Sequence, residues 1–210
     1  MNPAQKKAVE IVKQIAAKLF ICPGLKEVEV AEWIRLELCR YGAKPAFRII
    51  VASGRRAALP HGFATQKVIR SGEMVVIDFG ALYQGECSDI TRTLFVSRPN
   101  VRQNKIYNIV KEAQRRAIGK VKAGRPCNEV DKTARDYIKK KKLGHCFIHT
   151  TGHGIGQKVH QRPKISLKNS KKLEVGMVIT IEPGIYIKGW GGVRIEDMVL
   201  VTKSGCKVLT

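Results

Sequence analysis

Acidic residues are the scarce class in this chain: 17 Asp and Glu stand against 39 Lys and Arg in 210 residues, a formal charge of +22 at neutral pH. That balance is unusual for a hydrolytic enzyme and resembles a nucleic-acid binder, so salt-dependent association with nucleic acid or ribosomes is an expected partnership. No uninterrupted apolar run approaches the roughly 18 residues of a membrane span, which excludes a membrane-spanning helix and predicts a soluble protein with no membrane partner. The six cysteines are irregularly spaced and form no C-x-x-C pair, which argues against a disulfide framework and for a reducing cytoplasm. Cys87 reads as a small apolar hairpin residue. There is no low-complexity segment or linker, so residues 1–210 are expected to form one cooperative unit.

The N-terminal stretch carries Val9, Val12, Ile15, Ala16, Leu19 and Phe20 at helical spacing among lysines. With Glu10 and no arginine, it reads as a structural helix and not as a basic targeting peptide. Helix over 2–20, a Pro23-Gly24 break, helix over 26–41 closed by Gly42, and strand at 47–53 precede a hairpin. The same order follows: helix over 101–123, helix from an Asn128 N-cap to about 142, strands, and a second hairpin. The Lys139 to Lys142 run ends the last helix, where cations suit the negative end of its dipole. The repetition predicts an α+β fold, a curved antiparallel sheet backed by helix pairs, with pseudo-twofold halves of about 1–98 and 99–210.

Each hairpin puts a carboxylate in an apolar strand and another on the way back: Asp78 then Asp89, Glu182 then Glu196. Symmetric turns centred on Tyr83/Gln84 and on Gly189 would set the two acids of each pair directly opposite, on one sheet face. Like charges so opposed, with side chains roughly 5 Å apart, are destabilising unless neutralised. Four carboxylates converging on an apolar sheet therefore predict cations between them. His145, His149, His153 and His160 lie between the hairpins, and glycines flanking His153 would allow close approach. One imidazole with four carboxylates is a mostly hard donor set, suited to Mn²⁺, Co²⁺, Fe²⁺ or Zn²⁺. Two such ions could share and activate a water for attack on a carbonyl.

The fragments Leu59-Pro60-His61-Gly62, Ile77-Asp78-Phe79-Gly80, Ser88-Asp89-Ile90-Thr91, Thr151-Gly152-His153-Gly154, Ile181-Glu182-Pro183-Gly184 and Val193-Arg194-Ile195-Glu196 together resemble the pita-bread metallopeptidases, in particular the Xaa-Pro aminopeptidase and prolidase branch. The resemblance implies two divalent ions, most readily Mn²⁺ or Co²⁺, and peptide substrates. It implies that Asp78 chelates one ion, that Asp89 and Glu196 bridge, and that His153 and Glu182 complete the other site. Glu182 would also take the proton of the attacking water, His160 would stabilise the tetrahedral intermediate, and His61 and His149 would contact substrate. Thr91, Arg194 and Tyr83 are expected as supporting or substrate-contacting residues. Three departures stand out: no counterpart of the branch's additional N-terminal domain, Thr150 after His149, and Gln161-Arg162 after His160. Together the last two add positive charge, carried by Arg162, that would favour substrates with a free carboxylate or acidic side chains. A second copy of the chain in a homodimer could complete the pocket walls. A methionine aminopeptidase is the nearest alternative, disfavoured by the short connection from Glu182 to Glu196. A non-enzymatic binding module of the same fold is disfavoured because all five ligand positions are filled.

Overall fold

The computed structural model describes residues 1–210. Helices α1 (Pro3–Lys18) and α2 (Glu27–Arg40) lead into short strand β1 (Lys44–Pro45), β2 (Ile50–Ser53) and a 3-10 helix at Gly54–Ala58. The first hairpin comprises β3 (Met74–Phe79), β4 (Ala81–Tyr83), β5 (Glu86–Cys87) and β6 (Ile90–Phe95). Helices α3 (Val101–Ile118) and α4 (Cys127–Lys140) open the second half, followed by β7 (Gly152–Gly154) and β8 (Gln161–Ile165). The second hairpin comprises β9 (Val178–Ile181), β10 (Gly184–Ile187), β11 (Gly191–Arg194) and β12 (Asp197–Val201), and β13 (Cys206–Val208) closes the chain. All pairings are antiparallel, in the orders β2-β3-β6 and β13-β12-β9-β7-β8, with β1-β4-β5 and β10-β11 as outlying ladders.

The duplication is visible in the backbone. α2 and α4 are both 14 residues long and start 100 residues apart. Gly24 and Gly124 precede them with positive φ, and Gly42 and Lys142 follow with φ of 70° and 61°. Each helix is anchored by the same bonds: Gly24 N–H to Ile69 O and Glu27 N–H to Lys67 O in one half, Gly124 N–H to Leu173 O and Cys127 N–H to Lys171 O in the other. Each helix pair covers its own apolar core, Ile11, Ile34, Leu38, Val75 and Ile77 in the first half and Ile109, Val130, Ile138, Ile179 and Val199 in the second. A smaller cluster, in which Val9 of α1 meets Ile155, Met198 and Leu209, ties the halves together.

Three boundaries differ from expectation. α3 stops at Ile118, where Gly119 begins a turn wound by tighter bonds that bury Val121. α4 starts at Cys127 after a Pro126 cap, not at an Asn128 cap. The carbonyls of Lys171 and Asn169 already take the N–H groups of Cys127 and Asn128, so a capping side chain is not needed. β2 starts at Ile50, which leaves Phe47 free to line the central cavity.

The hairpin registers separate the two acidic pairs. Ile181↔Asp197 and Gly184↔Arg194 flank Glu182 and Glu196 and set them across from each other, about a turn centred on Gly189. In the first hairpin Asp78 pairs with Thr91, and Asp89 falls across from Gly80. The centre is Gln84-Gly85, one residue boundary later than a symmetric reading of the acids suggests. Both residues have positive φ, 47° and 81°, which is the two-residue turn whose twist matches a hairpin.

Candidate active site

Both hairpins are interrupted at or close to the carboxylates. β3 gives way to β4 at Gly80, β5 to β6 at Ser88 and Asp89, β9 to β10 at Glu182 and Pro183, and β11 to β12 at Ile195 and Glu196. At the first break a Cβ on Gly80 would lie 2.1 Å from the Ser88 carbonyl oxygen, so only glycine fits. The Ser88 hydroxyl then accepts from the Ala81 N–H at 3.1 Å and donates to the Ala8 carbonyl at 2.9 Å. At the second break Pro183 has no N–H to give. These breaks release Asp89, Glu182 and Glu196 from regular ladders, while Asp78 stays paired in β3 between Ile50 and Thr91; all four line one cavity of about 580 Å³ between the halves.

The cavity gathers Asp78, Asp89, His153, Glu182 and Glu196 with His61, His149, His160 and Arg194. Two buried acids outside it hold the histidine-bearing segments. Glu27 of α2 accepts from Ser53 and Thr65 and pairs with Arg56, whose guanidinium also donates to the carbonyl of Phe63, two residues after His61. Its counterpart on α4, Asp131, accepts from Thr151 and pairs with Arg135, which also donates to the carbonyl of His149 at 2.8 Å.

Within the site, one oxygen of most carboxylates is taken by the protein. Arg194 holds Asp78 Oδ2 at 2.7 Å, and the Thr91 hydroxyl donates to Glu196 Oε2 at 2.7 Å. Thr91 in turn accepts from Arg194 Nε at 3.1 Å, so it links the two. Asp78 Oδ1, Asp89 Oδ1 and Glu196 Oε1 are buried with no hydrogen-bond partner. The His153 Nδ1–H donates to the Gly154 carbonyl at 3.0 Å, which leaves Nε2 facing Glu182 Oε1 at 3.2 Å and Asp89 Oδ2 at 3.7 Å. A bare imidazole nitrogen aimed at two carboxylates calls for a proton or a metal ion between them.

Electrostatics point the same way. Burial, then the charges of neighbouring carboxylates, raises Asp89 and Glu196 well above the ordinary carboxyl range, and burial raises Asp78 despite Arg194. Burial also acts to raise Glu182, but the His153 hydrogen bond and nearby positive charge bring it down to about 2. For His153, burial is outweighed by Glu182, and the imidazole is raised. Ligand atoms of Asp89, His153 and Glu196 lie within 4.8 Å of one another. Orphaned buried oxygens, mutually raised carboxyls and a convergent N/O donor set fit divalent cations.

Tyr186 also belongs to this arrangement, although no sequence reading singled it out. Its hydroxyl accepts from Arg194 Nη1 at 2.8 Å and faces His149 Nε2 at 2.8 Å, while the other ring nitrogen of His149 meets the Thr150 carbonyl at 2.8 Å. A carbonyl can only accept, so the His149 proton sits on Nδ1 and the Tyr186 hydroxyl donates to Nε2. Burial lowers His149 and raises Tyr186 to about 12, which keeps both neutral. The legible signal was Gly184, two residues earlier, where a Cβ would lie 2.6 Å from the Tyr186 hydroxyl oxygen.

The His160 ring lies against His153, tilted by 60° with centroids 4.3 Å apart, and burial and the His153 charge lower it. His61 is exposed at the mouth of the cavity. Two expected positions fall elsewhere. Tyr83 pairs with Glu86 beside the Gln84-Gly85 turn and packs against the core of the first half, because that turn carries it beyond the break at Gly80. His145 is exposed on the 3-10 helix Gly144–Cys146.

The fold and the site are matched by known proteins. Over 208 residues the chain is 51% identical to an Xaa-Pro dipeptidase of Pyrococcus furiosus, covering 98% of this chain and 60% of that one. The solved prolidase from Pyrococcus furiosus superposes with a TM-score of 0.96 at 50% identity, over 99% of this chain and 62% of that structure. An X-Pro aminopeptidase structure from Thermotoga maritima gives 0.96 at 42% identity, over 99% and 60%. The chain thus spans about 60% of the length of its curated relatives. The profile of metallopeptidase family M24 matches residues 1–203, and with the pita-bread architecture and the convergent ligands in place, this chain belongs to that family.

Proposed function

We propose that the chain hydrolyses Xaa-Pro peptide bonds with two divalent ions held by Asp78, Asp89, His153, Glu182 and Glu196. The observation that carries the reading is the set of three buried carboxylates, each with one oxygen left free, converging with His153 and Glu182 on one cavity. The Xaa-Pro names of the relatives supply the bond type.

When bound, the ions supply Lewis acidity, which acidifies a water and polarises the scissile carbonyl. Asp78, oriented by Arg194, would offer its free oxygen as a ligand, and Asp89 and Glu196 would offer theirs. Thr91 fixes the Glu196 carboxylate so that its other oxygen faces the cavity. Glu182, ionised at neutral pH, takes the proton from the attacking water. His160 donates to the oxygen on which negative charge develops. His61 and the neutral His149, positioned by Tyr186, contact the peptide.

Arg48, Arg162 and Lys164 line the same cavity. They favour a substrate whose free carboxylate lies close to the cut, hence a dipeptide over a long chain. The hard donor set favours Mn²⁺ or Co²⁺, and six unpaired thiols suit the reducing cytoplasm. The test is turnover of Ala-Pro, a longer Ala-Pro peptide and Met-Ala by chelated protein reloaded with Mn²⁺ or Co²⁺. Metal-dependent cleavage of Ala-Pro above the longer peptide supports the reading. Cleavage of Met-Ala alone, or turnover unaffected by chelation, overturns it.

A further inference from the structure

The duplication provides an internal control for the chain's excess charge. Residues 1–42, carrying α1 and α2, hold seven Lys and Arg and five Glu; residues 101–142, carrying α3 and α4, hold fourteen Lys and Arg and four acids. The two segments build the same helix pair, so folding does not require the difference. In the second pair, acidic partners serve only Arg115, Arg116, Arg125, Lys132 and Arg135. The other nine cations are all exposed: Arg102, Lys105, Lys111, Lys120, Lys122 and Lys139 to Lys142. A helix dipole suits the run Lys139 to Lys142 at the C-terminal end of α4 and Lys120 just beyond α3, and not Arg102, Lys105 and Lys111, which stand earlier in α3.

Lys142 adds a second observation. It occupies the left-handed conformation, φ 61°, where the first half has Gly42 at φ 70°. Glycine adopts that backbone freely and lysine does not. A cation stands where the fold itself favours glycine.

We propose that the outer face of α3 and α4 is a binding surface for duplex nucleic acid, recognised through its phosphate backbone independently of sequence. Five of the nine unneutralised cations lie on the two helices and four, Lys120, Lys122, Lys141 and Lys142, in the turns that follow them, a spread of exposed positive charge suited to a phosphate backbone. The aromatic residues on this face favour a duplex over a single strand. Tyr107 packs on Phe95, and the Tyr137 ring is occupied by Arg116 at 4.4 Å and Lys141 at 5.5 Å. Neither ring is free to stack an unpaired base, as single-strand binders require.

The experiment measures binding of the metal-loaded chain to a labelled duplex of arbitrary sequence by fluorescence anisotropy, across a salt series. Two variants at exposed positions are compared: Lys111→Gln/Lys139→Gln/Lys140→Gln/Lys141→Gln, and the control Lys6→Gln/Lys7→Gln/Lys13→Gln/Lys44→Gln. Each removes four charges, so net charge is matched. At about 0.9 per phosphate contact, the first variant is expected to lose up to about 3.6 units of salt slope and at least about tenfold in affinity, and the control about twofold or less. Equal losses in both variants would mean that only net charge matters and would overturn the surface. So would no duplex binding at low salt, tighter binding of a single strand of equal length, or preferential binding to phosphatidylserine vesicles that the duplex fails to displace.

Discussion

Replacing Thr91 with valine tests whether the connection between Arg194 and Glu196 controls the metal centre. The side chain is fully buried on β6, and valine matches its shape and β-propensity, so the fold should persist. What is lost is a hydroxyl that donates to Glu196 Oε2 at 2.7 Å and accepts from Arg194 Nε at 3.1 Å. A hydrogen bond to a charged group contributes about 1.5–3 kcal/mol, and the Arg194 N–H left unpaired in the interior adds a comparable penalty. Glu196 is already raised by burial and by its carboxylate neighbours, and Thr91 opposes that rise. Without the hydroxyl the carboxyl holds its proton more firmly, and a cation must displace it. Metal affinity at pH 7 should therefore fall about 10–100-fold, measured by competition with a chelating dye. The deficit should shrink as pH rises and the proton leaves without help. A valine variant with unchanged folding and metal affinity within threefold of the parent would show that Thr91 is only a strand residue.

Other consequences follow from the same geometry. His153→Ala or Asp89→Asn should reduce metal-dependent Xaa-Pro turnover by at least about 100-fold while circular dichroism is unchanged; undiminished turnover in either would remove the two-ion assignment. In the metal-stripped chain the raised carboxyls of Asp89 and Glu196 keep protons that the unfolded chain has released above its ordinary carboxyl range. Stability should therefore fall as pH rises from about 4 towards neutrality, by up to about 1.4 kcal/mol per unit for each group. Added Mn²⁺ should raise Tm more at pH 7 than at pH 5, and a Tm independent of pH without metal would refute this. Lys142→Gly relieves a left-handed lysine and should stabilise the chain by about 0.5–1 kcal/mol in urea unfolding; a loss of stability would mean that the lysine side chain has packing value. Tyr186→Phe should raise KM for Ala-Pro more than it lowers kcat, because it frees His149 while Arg194 keeps its bonds to Asp78, Thr91 and the Pro60 carbonyl; an unchanged KM would assign Tyr186 to packing alone.

The sequence carried the site further than it carried the turns, and the reason lies in strand geometry. Reading the first hairpin as symmetric about Tyr83/Gln84 puts Asp78 opposite Asp89, whereas the Gln84-Gly85 turn puts Asp78 opposite Thr91. Moving a hairpin centre by one residue shifts every cross-strand partner by two. Side chains alternate with a period of two, so both acids stay on the same face. Convergence of the carboxylates was therefore legible despite an incorrect register. Tyr83 was not protected in this way, since its place depended on how far the turn lies from the break at Gly80. Thr91 and Arg194 were expected as supporting residues, but the partners of the orienting residues were harder to see, for a related reason. Arg194, Thr91 and Tyr186 act on side chains from 8 to 116 positions away, and no local spacing reports such pairings. The strand breaks that turn the acids inward depend on Gly80, Ser88 and Pro183, which read in sequence as ordinary turn chemistry. In the folded chain they are what converts two β-hairpins into opposed halves of a single ligand cage.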